Sequence, residues 1–290
     1  MSPVHALFGL HIVRRGLIFI DLAIAQVAAL GMALAIALGH EAQSRQAYEF
    51  AVGFALLGAM LISLTRFRLG RVPHEAIIGI VFVLATAASI IVLTFAPSGH
   101  GLEEIQAMLA GNILFVSQDE VDSVIRTYAV IMALALLLWR LFSKVTLGEA
   151  GELPAWKAVL IDFAFYALLA FVVASSVKIA GVLVVFSWLV MPAVVACFFC
   201  ERLIPAALVA IPVGVAASFG GLLLSYFAPA LPFAHAHDVP TPIEAAGRGG
   251  WPTGPSIVIA LGAAVAVAYL VRLLIPQRAA AGVPENPRPH

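Results

Sequence analysis

Charge is scarce in this 290-residue chain, where Asp, Glu, Lys and Arg make up 11% of residues. A soluble domain carries roughly 25%. Apolar residues reach 62%, and the surplus over a soluble domain has to face lipid. The net charge is zero, which leaves no basic footprint for nucleic acid. None of the three lysines follows a glycine-rich turn and no G-x-x-x-x-G-K-[ST] segment occurs, so the chain binds no nucleoside triphosphate by that route. Any ATP-driven work belongs to another subunit. There is no HExxH, and Ser187 and Ser225 have no histidine near them in sequence, so nothing reads as an enzyme's catalytic constellation. The two cysteines, Cys197 and Cys200, have the CxxC spacing of redox and metal motifs. At the end of an apolar helix with no second pair, they read as packed thiols.

What is present is a series of long apolar runs. A helix needs roughly 20 apolar residues to cross a bilayer. By that measure eight spans are predicted, over 17–38, 47–65, 75–95, 121–142, 157–176, 179–200, 203–228 and 255–274. The fold class is all-α: a polytopic membrane helix bundle of about eight transmembrane helices. Residues 1–13 are apolar but too short to cross, and read as an interfacial stub or as the remnant of a truncated first helix. Residues 105–117, interrupted by Gly111 and Asn112, are also too short and read as a re-entrant or interfacial element. Three units result: the stub 1–13, a transmembrane domain 14–278, and a Pro-rich disordered tail 279–290.

Basic residues orient the bundle. With the amino end in the cytoplasm, Arg14, Arg15, Arg66, Arg68, Arg71, Arg140, Lys144, Lys157, Arg202, Arg272, Arg278 and Arg288 fall inside. Arg45, Lys178 and Arg248 fall clearly outside. Both termini are therefore expected in the cytoplasm. The outer loops are then acidic and carry imidazoles. Among them His235, His237 and Asp238, two histidines and an Asp within four residues, form a candidate Zn²⁺-type site or an incidental cluster in a loop.

One span carries a costly group. Residues 14–31, RRGLIFIDLAIAQVAALG, begin with two arginines and place Asp21 and Gln26 in an apolar helix. A charge inside a span costs about 2.5–3.5 kcal/mol on insertion scales, which makes such an Asp a functional candidate. Asp21 lies only about 6 Å past Leu17 along the axis, so pairing with Arg14 or Arg15 is the structural alternative; Gln26 lies about 13 Å in. The two are offset by roughly 140° around the helix and do not readily grip one ion. Small residues, Ala25, Ala29 and Ala33, suit close helix approach. In the span 179–200, Pro192 predicts a kink. The short turn after it, with Cys200, Glu201, Arg202 and Leu203, reads either as an ordinary turn or as a docking point for a motor subunit.

Four stretches in order resemble the permease subunits of the zinc, manganese and ferrous-iron class of bacterial ABC importers. They are residues 14–31, residues 75–93 (EAIIGIVFVLATAASIIVL), residues 178–196 (KIAGVLVVFSWLVMPAVVA) and residues 251–259 (WPTGPSIVI). The resemblance implies a homodimer or heterodimer of permeases with the pathway between them, cytoplasmic ABC ATPase subunits, and an extracytoplasmic metal-binding protein. It places the ATPase contact on the turn after the Pro-Ala helix, at Cys200–Leu203. It implies no permanently bound cofactor, only a transported divalent metal ion. One departure stands out: the family's G-D-x-x-x-H-A pair is absent, since Asp21 is followed four residues later by Ala25 and the residue five later is Gln26. The reading is an ATP-driven importer permease, with Asp21 and Gln26 as separate pathway groups. The alternative is an ion-coupled secondary transporter with Asp21 as its ion site.

Overall fold

The computed structural model describes residues 1–41, 44–65, 73–95, 118–147, 154–227 and 251–274. The expected element at 105–117, the His235, His237 and Asp238 group and the tail 279–290 lie outside these residues. All regular structure among the described residues is α-helical. In chain order the helices are α1 (Ser2–Arg15), α2 (Ile20–Ala37), α3 (Arg45–Thr65), α4 (His74–Leu93), α5 (Gln118–Leu137), α6 (Trp139–Thr146), α7 (Ala155–Ala180), α8 (Val182–Phe199), α9 (Leu203–Phe227) and α10 (Thr253–Leu274). Among the described residues seven helical segments are individually long and apolar enough to cross a membrane, and the α5–α6 pair supplies an eighth if counted as one span. The predicted spans match these helices closely because each is a long, nearly uninterrupted apolar run.

Three differences are physical. Residues 1–13, read as an interfacial stub or the remnant of a first helix, lie in a helix inside the bundle. Ala6, Leu10 and Ile12 of α1 are fully buried, and α1 packs chiefly against α8 and α9. A helix enclosed by protein need not match the bilayer thickness. The fourth predicted span, 121–142, breaks at Leu138, where α6 turns 63° away from α5. From there the pattern is amphipathic: Phe142 and Val145 are buried while Arg140 and Lys144 are exposed. The fifth span runs on to Ala180 rather than stopping at 176, and the chain turns into α8 at Gly181, whose φ of 77° favours glycine. Pro192 does not end α8, which is one helix from Val182 to Phe199.

Small residues set how near the helices lie. A Cβ on Gly9 would sit 1.7 Å from the Leu189 carbonyl oxygen, so α1 and α8 meet backbone to backbone. Gly31 is similarly pressed on the backbone of Phe50, and Gly221 on that of Ile257. This is the close approach that glycine permits between membrane helices. The outer faces carry Ile80, Val83, Leu84, Ile90 and Ile91 on α4 and Val267, Leu270 and Leu273 on α10, all exposed. A belt of that kind is stable only against lipid or another apolar surface.

Candidate functional site

The site begins where α1 ends. Arg14 and Arg15 occupy the last turn of α1, where positive charge suits the carbonyl end of the helix. Gly16 follows in the left-handed conformation, at φ 67°. Its N–H donates to Val13 O and that of Leu17 to Ile12 O, closing the helix end. The chain then reverses into α2 through Leu17–Phe19.

The two arginines hold different neighbours. Arg15 Nη1 donates to Asp162 Oδ1 of α7 at 2.8 Å, in an ion pair whose side chains are 1% and 0% exposed. Its Nε donates to Thr146 Oγ1 at 2.9 Å and its Nη2 to Phe142 O at 3.3 Å. The guanidinium carbon lies 4.4 Å from the Phe165 ring centre. Thr146 also accepts from His11 Nδ1 at 2.8 Å and donates to Phe142 O. The group thus stitches α1, α6 and α7 together. Arg14 Nη2 instead donates to Cys200 O at 2.6 Å.

Asp21 therefore does not pair with either arginine as the structural alternative expects. It sits in the first turn of α2, 2% exposed, and its Oδ1 has no hydrogen-bond partner among the described residues. The positive end of the α2 dipole offsets part of the desolvation cost. A second carboxylate lies close by, since the N–H of Phe19 donates to Glu75 Oε1 of α4 at 3.4 Å. Ala25, Ala28 and Met32 continue the Asp21 face along α2, at helical spacings of four, seven and eleven. With Ala51 of α3 and Val173, Ala174 and Val177 of α7, they line a narrow apolar cleft. Gln26 points elsewhere, as the 140° offset requires: it is half-buried and does not line the cleft.

The turn between α8 and α9 has the build of an exposed knuckle on a fixed base. Cys200 is extended, at φ −128° and ψ 125°, and caps α8. Glu201 and Arg202 are exposed, whereas Leu203 is buried at the start of α9. Cys197 and Cys200 are free, half-buried thiols packed on the cluster of Ala6, Leu10, Ala193 and Ala206.

A further polar chain runs nearer the middle of the bundle. His5 Nδ1 lies 3.0 Å from Met1 O, which can only accept, so in the neutral ring Nε2 accepts from Ser176 Oγ at 2.9 Å. Ser176 Oγ in turn lies 2.5 Å from the Tyr128 hydroxyl. Asp162, His5, Ser176 and Tyr128 all escape a motif-based reading. Asp162 at least carries a signal, being a carboxylate in an apolar run like Asp21.

The fold and site define a multi-pass membrane protein with an apolar exterior, a buried carboxylate in one wall, and an arginine, Arg14, bonded to a surface turn. The family model described as the ABC 3 transport family matches residues 1–234. The chain belongs to the ABC 3 transport family. It is 24% identical over 193 residues to a "Probable iron transport system membrane protein" of Haemophilus influenzae, covering 62% of this chain and 66% of that protein. With a "Manganese transport system membrane protein MntC" of Listeria monocytogenes it shares 25% identity over 227 residues, 77% of each chain. Its fold is similar to that in a solved structure of PsaBC from Streptococcus pneumoniae in complex with Fab, with a TM-score of 0.67 and 21% identity over 92% of this chain and 86% of that one.

Proposed function

We propose that this chain is the membrane-spanning permease subunit of an ATP-driven importer of a divalent transition metal: zinc, manganese or iron. The observation that carries this reading is Asp21, a carboxylate withdrawn from water and lipid, with one oxygen unpaired, on the inward face of a span. Such a group is poised to be a transient oxygen ligand for a passing cation. Gln26, on another side of α2, serves as a second and separate polar station. The iron and manganese transport named for the relatives supports a first-row divalent cargo. The basic ends of α1 and α6 and the Arg202 turn face the cytoplasm. There an ABC ATPase subunit docks on Cys200–Leu203, and an extracytoplasmic metal-binding protein delivers metal to the opposite face. A second permease subunit completes the pathway. The chain itself forms and breaks no covalent bond; it supplies weak, exchangeable ligands and a bundle that opens to one side at a time.

The test is uptake of manganese, zinc or ferrous iron into proteoliposomes that hold this chain with its ATP-hydrolysing partner. Uptake should require ATP, and Asp21→Asn should lower it at equal expression. Wild-type uptake in that variant would remove Asp21 from the pathway. Uptake by this chain alone, driven by an ion gradient, would overturn the ATP-driven reading.

A further inference from the structure

We infer that Arg14 is a positioning residue that couples the α8–α9 turn to the start of α2, and hence to Asp21. The inference rests on reading that turn as the motor's docking point. The two neighbouring arginines of α1 differ in how they are held. Arg15 is clamped at several points, to Asp162, Thr146 and the Phe142 carbonyl, with Phe165 beneath it. Arg14 reaches the turn through one contact, to the carbonyl of Cys200 at 2.6 Å. Its Nε is buried with no hydrogen-bond partner, and it forms no ion pair among the described residues. Arg15 is thus the pivot and Arg14 the arm.

What lies on either side makes the arm effective. Behind it, α1 is enclosed along its length and pressed backbone to backbone on α8 at Gly9, so it has no room to bend. Ahead of it, Gly16 turns the chain at φ +67°, and a Cβ there would meet nothing within 4 Å. The corner therefore sits in open space at a position that other residues rarely adopt. Asp21 follows seven residues after Arg14. A shift of the α8 end, where Cys200 caps the helix, pulls on Arg14 and is taken up at this corner, which moves the first turn of α2. Coupling of this sort needs a physical link whose arrangement both sites bias, and the Arg14–Cys200 bond is that link.

The test uses the complex of this chain with its ATP-hydrolysing partner in proteoliposomes, with ATP hydrolysis and manganese uptake read in the same samples. In Arg14→Ala the complex should assemble and hydrolyse ATP, while manganese moved per ATP falls by about fivefold or more, the range typical of a coupling interaction. Arg14→Lys, whose ammonium still donates to a carbonyl, should recover part of the ratio. A purely structural role would lower assembly and hydrolysis together and leave the ratio unchanged, and an unchanged ratio overturns the inference. If Arg14→Ala does not assemble, Arg14→Met, an unbranched side chain with no hydrogen-bond donor, decides by the same ratio. A wild-type complex with no ATP-dependent uptake would sink the functional reading and this inference with it; a normal ratio in the variant sinks the inference alone.

Discussion

The α1 corner and the inner face of α2 are adjacent in the chain and opposite in chemistry. At the corner the buried charges are held by partners, Arg15 by Asp162 and Thr146 and Arg14 by the Cys200 carbonyl, while single nitrogens, His11 Nε2 and Arg14 Nε, have none among the described residues. Seven residues after Arg14, Asp21 is as deeply buried as Asp162, yet one of its oxygens has no partner and its face of the helix continues into alanines. The difference teaches what each is for. A paired buried charge fixes helices against one another. An unpaired one is a standing cost that folding alone does not call for.

Breaking the corner should produce the largest loss of stability. Arg15→Ala takes the guanidinium away from the buried Asp162 carboxylate, and is expected to cost about 3–5 kcal/mol, read as a fall in the thermal unfolding midpoint of the purified protein. Replacing both partners with Arg15→Met and Asp162→Leu should recover most of that loss, since a well-packed apolar pair often equals a buried ion pair. Gly9→Ala comes next. Its methyl would sit 1.7 Å from the Leu189 oxygen, so α1 and α8 must part, and overpacking costs about 1–3 kcal/mol. Gly53→Ala is the matched control on α3, where a Cβ meets nothing within 4 Å; removing a helix-interior glycine should leave stability equal or higher by up to about 1 kcal/mol. Tyr128→Phe removes one hydrogen bond to Ser176, and should cost about 1 kcal/mol by the same melting assay. Smallest for stability, and sharpest for the comparison, is Asp21→Asn. It relieves a desolvated charge, so its unfolding midpoint should equal or exceed the wild type while metal uptake drops. A variant that unfolds as readily as Arg15→Ala would place Asp21 with the structural ties after all.

Much of the fold was legible because lipid imposes a simple rule. A segment exposed to hydrocarbon must be long, helical and apolar, and α2, α3, α4, α7, α8, α9 and α10 obey it. The rule failed where lipid is absent. α1 is shielded by its neighbours, so the length criterion did not apply to it. The break at Leu138 has no glycine or proline to announce it; only the change from an all-apolar run to the alternating WRLFSKVT marks it. The carboxylate Asp21 was legible as a costly group. Asp162 carried the same signal, but its meaning lay in Arg15, 147 residues away, and no local spacing reports such a pairing. The structural alternative, in which Asp21 meets Arg14 or Arg15, is not realised for the same reason, since proximity along the chain competes with partners that only the packed bundle supplies.

The enclosure of α1 also constrains how the bundle is built. The helix's principal supports, α8 and α9, lie some 180 residues further along the chain. During synthesis the later helices must arrive before α1 can be sealed in, so its enclosure is a late event in assembly. Until then His5, His11, Arg14 and Arg15 remain in contact with water or lipid headgroups, and the last helices to insert decide when that exposure ends.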